Sequence, residues 1–147
     1  AEVAMDKFRV LVVDDNPEMQ WLETGALARA GIDTFDCVMA TRIARHGSAW
    51  IRRGDAWTFD RVDLSGARFT TDRGPLDPLC NCLICKNPTP GVGFSRGYLR
   101  HLIKMSDPLA LSLLSLHNVT QLHSMMGAIR ESILAGTFEK EFPSDSW

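Results

Sequence analysis

The sequence predicts an α/β fold with a small metal-held element and a helical C-terminal portion, and three observations carry that reading. A β-branched apolar run at residues 9–13 (RVLVV) is followed by turn and cap residues and then by helical apolar spacing, which marks a strand–helix unit. Three cysteines, Cys80, Cys82 and Cys85, fall within six residues. From Ser95 onward apolar residues recur at intervals of three and four, the period of an amphipathic helix. The 147 residues are enough to bury a core without disulfide staples. They are too few for a complete eight-stranded α/β barrel, which takes ~250. With 45% hydrophobic and 23% charged residues, general disorder is excluded. No apolar run approaches the ~20 residues of a membrane span, and residues 1–10 lack the features of a signal peptide. The expectation is a soluble, cytoplasmic chain without membrane contact. A net charge of -2 means that nucleic-acid binding would require a local basic patch.

The elements follow in order, in three stretches at 1–50, 51–94 and 95–147. After the strand at 9–13, Asp14, Asp15, Asn16 and Pro17 supply helix-cap chemistry. Met19, Leu22, Ala26, Leu27 and Ala30 then share a helical face, with Gly31 as its stop. Residues 32–39 read as a second strand whose odd residue is Asp36, a carboxylate near the strand's C-terminal end. Arg42, Arg45, His46, Arg52 and Arg53 make residues 41–53 a basic segment, read as a solvated loop. Residues 57–70 alternate apolar and polar positions around Gly66, which suggests two short strands or a meander. A turn-rich segment at 72–78 (DRGPLDP) leads into the cysteines, and a Pro/Gly loop follows them. Ser95 is placed to cap a helix running to about Lys104, and Pro108 to begin a second one through Leu116. A third helix is expected from about Val119 to Ala135, stopped by Gly136, with residues 139–147 as a frayed tail.

Two cysteines one residue apart are hard to join without strain, so the crowded thiols point to metal rather than to a disulfide. Zinc suits them because it takes Cys and His in tetrahedral geometry, and a site with four protein ligands is structural. Spacing leaves the fourth ligand open among His101, His117 and His123.

Residues 31–42 (GIDTFDCVMATR), Ala44, Arg45, Gly47, the GPLDP run before CNCLIC, residues 95–102 (SRGYLRHL) and Leu116-His117-Asn118 together resemble the tRNA-guanine transglycosylase (queuine tRNA-ribosyltransferase) family. The resemblance runs from about residue 26 to 142. It implies the C-terminal part of a (β/α)8-type barrel with a zinc-binding subdomain and a helical C-terminus, in a truncated or partial chain. It implies a zinc set of Cys80, Cys82, Cys85 and His117, with Asp36 as the nucleophile. Thr41, Arg42, Ile43, Ala44 and Arg45 match the segment with which the family recognises the wobble nucleotide of tRNA. The reaction so implied exchanges guanine for a 7-deazaguanine, queuine or its precursor, through a covalent aspartyl intermediate. The family's proton-transferring aspartate precedes the matching region. Family members form homodimers, so a second copy or a complementary subunit is an expected partner. Ala40 departs from the family's usual proline, which would loosen the segment after Asp36. The alternative is a non-catalytic zinc-containing module that binds tRNA or assembles with a subunit. Residues 9–31 are also similar to the opening of a response-regulator receiver, in which Asp14 and Asp15 would help bind Mg²⁺ and Asp60 or Asp63 would be sought as the phosphoacceptor.

Overall fold

The computed structural model describes residues 38–54, 57–86 and 94–143. The expected strand at 9–13, the helix after it, most of the strand at 32–39 and the Pro/Gly loop at 88–93 lie outside the described residues. Residues 39–128 form one compact unit, and residue 38 with residues 129–143 are the described part of a second.

The first unit opens with helix α1 (Met39–Arg45), so Met39, read as the end of a strand, begins a helix instead. Its buried residues are Met39, Ala40, Ile43 and Ala44, a spacing that only a helix puts on one face. The expected basic loop is therefore a helix followed by a strand, with arginines on the outer sides of a segment whose small apolar residues face inward. Ala40 is fully buried within this first turn. Gly47, at φ 72°, supplies the left-handed residue that ends α1 and turns the chain into β1 (Ser48–Arg52).

Strand β1 pairs antiparallel with β2 (Phe59–Asp63), Trp50 facing Arg61 and Arg52 facing Phe59. Ala49, Ile51 and Val62 turn one face of this hairpin to the core. Within residues 57–70, only β2 is a strand; the remainder folds into a 3-10 turn at Ala67–Phe69 that buries Phe69. Among the described residues the two strands form a single two-stranded sheet, so the described architecture is mixed α and β without a barrel.

Helix α2 (Arg96–Lys104) starts where its cap residue predicts, the Ser95 hydroxyl accepting from the Tyr98 amide at 3.1 Å. Its first turn lies against the loop before the cysteines. Gly97 donates its amide to the Asp72 carbonyl at 2.8 Å, and a Cβ at this position would stand 2.8 Å from the same oxygen. Helix α3 (Pro108–Ala135) likewise begins at its proline, with the Asp107 carboxylate accepting from the Leu109 amide. It continues through the point where two helices were expected. The 28 residues span ~42 Å at 1.5 Å per residue. Ala110, Leu113, Leu114, His117, Asn118, Gln121 and Met125 are its buried positions in the first unit, one stripe at intervals of three and four. Three of these are polar, which is why the apolar pattern looks interrupted. No helix among the described residues is long and apolar enough to cross a membrane.

In the second unit α3 ends in a Schellman arrangement. Gly136, at φ 71°, donates to Ile133, while Thr137 donates to Ser132 across a six-residue turn. The tail then folds rather than frays over its described part: α4 (Phe138–Glu141) buries Phe138, and Phe142 stacks on it at 5.4 Å.

Replacing Gly97 with alanine is expected to force α2 away from the Asp72 loop and to cost roughly 1–3 kcal/mol, read as a lowered Tm in thermal unfolding. An unchanged Tm would contradict the close approach.

Candidate metal centre

The cysteines lie on a tight loop whose shape comes from local backbone chemistry. Cys85 and Lys86 both donate their amides to the Cys82 carbonyl, and the Cys82 amide points at the Cys80 sulfur at 3.4 Å. The fold brings His117 of α3 to this loop. Its Nδ1 lies 3.5 Å from Cys82 Sγ and 3.3 Å from Cys85 Sγ, and the four possible ligand atoms all lie within 4.8 Å of one another. Of the other two candidate histidines, His101 is exposed and His123 is not brought to the loop.

These atoms meet the demands of zinc. Bonds of about 2.3 Å to sulfur and about 2.05 Å to nitrogen in a tetrahedron set S···N edges of roughly 3.5 Å, close to those observed. The donor set is three soft sulfurs and one imidazole, and Cys80, Cys82 and His117 are buried while Cys85 is half-buried. The ring orientation agrees as well. His117 Nε2 stands 2.8 Å from the Trp50 carbonyl, which has no proton to give, so Nε2 carries the hydrogen and Nδ1 presents its lone pair to the sulfurs.

Without a metal the four groups compete for protons. Hydrogen bonds from the Cys80 and Cys85 thiols, helped by His117, hold the Cys82 thiol far below its usual range. The Cys85 thiol is pushed strongly up by its sulfur neighbours Cys80 and Cys82 and by burial. Burial pulls the His117 ring down, but hydrogen bonds with Cys80, Cys82 and the Trp50 carbonyl outweigh it and raise the ring to about 9. Three sulfurs this close cannot all ionise by themselves, and a divalent cation removes the conflict. With four protein ligands the centre has no open position, so its part is structural.

A second set of buried polar residues surrounds the ligands, and their role did not emerge from the sequence alone. Asn118, fully buried, accepts the Trp50 amide at 2.9 Å and donates to the Ala40 carbonyl at 2.9 Å and the Ser48 carbonyl at 3.3 Å. Asp77 accepts the Leu79 amide at 2.8 Å, the Arg52 amide at 3.0 Å and the side-chain amide of Gln121. A signal for these residues does exist: Asp77-Pro78 is turn chemistry just before the cysteines, and polar positions at 117, 118 and 121 share the apolar face of one helix.

Of the other expected site residues, Asp36 lies outside the described residues, as do Asp14 and Asp15. Thr41, Arg42 and Arg45 lie on the partly or fully exposed sides of α1, whereas Ile43 and Ala44 are buried in the core. Asp60, one of the two residues considered as a phosphoacceptor, is an exposed hairpin residue paired with Arg53, and Asp63 caps the turn at Ser65.

Residues 22–143 match the family described as Queuine tRNA-ribosyltransferase. A queuine tRNA-ribosyltransferase of Synechococcus elongatus is 48% identical over 113 residues, covering 77% of this chain and 26% of that protein. One from Cyanothece sp. is 47% identical over 115 residues, 78% of this chain and 27% of its own length. One from Gloeobacter violaceus is 42% identical over 122 residues, 82% of this chain and 30% of its own. The chain thus spans a little over a quarter of the length of these relatives. The likeness of residues 9–31 to a receiver opening finds no support in these matches.

The purified chain is expected to carry about one zinc, and Cys82→Ser and His117→Ala are each expected to release it, as measured by elemental analysis. Zinc retained at the parent level in both variants would refute the ligand set.

Proposed function

Because this chain belongs to the queuine tRNA-ribosyltransferase family, we propose that it carries the nucleophile-bearing and zinc-binding part of a tRNA-guanine transglycosylase. The observation that supports this most is the hydrogen bond from Asn118 to the Ala40 carbonyl. Asn118 adjoins the ligand His117, and Ala40 lies four residues after Asp36. The metal centre thereby steadies the segment that directly follows the proposed nucleophile. In this reading residues 1–50 supply strand–helix parts of a (β/α)8-type barrel, residues 51–94 the zinc subdomain and residues 95–147 the helical portion.

Asp36 acts as nucleophile. Its carboxylate attacks the anomeric carbon of the wobble ribose, and the glycosidic bond to guanine breaks as the aspartyl–ribose bond forms. An incoming 7-deazaguanine then displaces the carboxylate, with overall retention. Thr41, Arg42 and Arg45 contact the wobble nucleotide, where guanidinium groups suit a phosphate or a splayed-out base. Ile43 and Ala44 serve the same segment as its anchors in the core. Zinc, held by Cys80, Cys82, Cys85 and His117, supplies cross-linking of the loop to α3 and no chemistry at the ribose. The partners are tRNA, the 7-deazaguanine base, and a second subunit, either another copy or a complementary chain.

Guanine exchange into tRNA by the chain supplied with the complementary part that carries the proton-transferring aspartate tests the reading. Exchange is expected in that assembly and is expected to fall by several orders of magnitude in Asp36→Asn. A folded, zinc-loaded assembly without detectable exchange would instead favour the non-catalytic tRNA-binding or assembly module.

A further inference from the structure

The metal centre has no open ligand position, but its four ligands are not equally shielded from solvent. Cys80 and Cys82 are each 5% exposed and His117 is fully buried, whereas Cys85 is only half-buried. The chain around it lies on the surface: Leu83 is 68% exposed, and Lys86, directly after Cys85, is exposed as well. Of the four ligands, the Cys85 sulfur is therefore the one that a small solute reaches first.

The turn sets a partner for it. The amides of Cys85 and Lys86 both donate to the Cys82 carbonyl, at 3.1 and 2.9 Å, so residues 82–86 close a tight turn through their own backbone. Both sulfurs lie against the same ring nitrogen, Cys82 Sγ at 3.5 Å and Cys85 Sγ at 3.3 Å from His117 Nδ1, and all four ligand atoms lie within 4.8 Å of one another. Two residues between cysteines is also the spacing of dithiols that cycle between thiol and disulfide. Cys80 suits neither role. It is buried, its sulfur faces the Cys82 amide at 3.4 Å, and a bridge from it to Cys82 would span a single residue under strain.

We propose that Cys82 and Cys85 form a hydroperoxide-reactive dithiol site, whose oxidation to a disulfide frees the cysteine loop from the metal. The Cys85 thiolate attacks the O–O bond of the peroxide and takes one oxygen as a sulfenic acid, while the other oxygen gains a proton and leaves as water or an alcohol. The Cys82 thiolate then attacks the Cys85 sulfur. The S–S bond forms as the S–O bond breaks, and that oxygen leaves with a second solvent proton as water. Two electrons pass from the two sulfurs to the peroxide. Cys80 and His117 remain, half of the set that a tetrahedral site requires. The His117 ring keeps its bond to the Trp50 carbonyl at 2.8 Å, so it stays aimed at the loop and reduction restores all four ligands. This site depends on the ligand set alone, whatever the chain does with RNA.

The test uses the full, zinc-loaded chain carrying Cys37→Ser, in which the three loop thiols are the only cysteines. Hydrogen peroxide is added, with a peroxide-free control, and zinc release to a chromogenic chelator, intact mass and disulfide mapping are followed together. Release of about one zinc per chain is expected in step with the loss of two hydrogens, with a Cys82–Cys85 bridge in the peptide map and zinc rebinding after reduction. Cys85→His, which keeps four zinc ligands, is expected to hold zinc and to slow its peroxide-driven release by at least ~10-fold. Zinc kept under peroxide, or lost with Cys80 as the bridged or over-oxidised residue, would overturn the proposal. So would a Cys85→His chain that holds zinc yet releases it as fast as its parent. The peptide map decides even where Cys85→His fails to hold the metal.

Discussion

A row of polar side chains on the buried face of one helix organises the described structure. His117, Asn118 and Gln121 occupy positions on α3 where Leu113, Leu114 and Met125 show that apolar side chains are otherwise used. Each reaches a different segment: His117 the cysteine loop and the Trp50 carbonyl, Asn118 the backbone of α1 and β1, and Gln121 the Asp77 carboxylate. A buried polar group left unpaired costs about 1–3 kcal/mol, so the row is tolerable only when every segment is in place. That is a demand for one arrangement, which a stripe of leucines would not impose.

The metal completes this logic. Few long elements cover the cysteine loop, and its own hydrogen bonds are local. Structural zinc in small domains is worth about 10–16 kcal/mol at neutral pH, comparable with the about 5–15 kcal/mol by which a whole domain is stable. Zinc therefore outweighs any single side-chain interaction in the unit. Through Asn118, which adjoins the ligand His117, the centre is tied to the start of α1.

What could be read from the sequence, and what could not, follows from the same interactions. Helix α2 and the start of α3 were legible because Ser95 and Pro108 are local signals that act within one turn. The four ligands were legible only in combination: the cysteine spacing indicated a metal, but three histidines competed until the family resemblance selected His117. The continuity of α3 was hidden because His117-Asn118 breaks the apolar pattern, and only tertiary partners make those residues core residues. Helix α1 was missed for the opposite reason, its arginines dominating the reading while Met39, Ala40, Ile43 and Ala44 carry the packing. The folding of the tail around Phe138 and Phe142 likewise depends on packing that no short pattern announces.

The central claim is that three sulfurs and His117 hold one zinc that ties the cysteine loop to α3. X-ray absorption at the zinc edge of the purified chain measures this directly. Three sulfur neighbours at about 2.3 Å and one nitrogen neighbour at about 2.05 Å are expected, with the nitrogen replaced in His117→Ala if any metal remains. A coordination sphere of oxygen, or one with fewer than three sulfurs in the parent chain, would contradict the account.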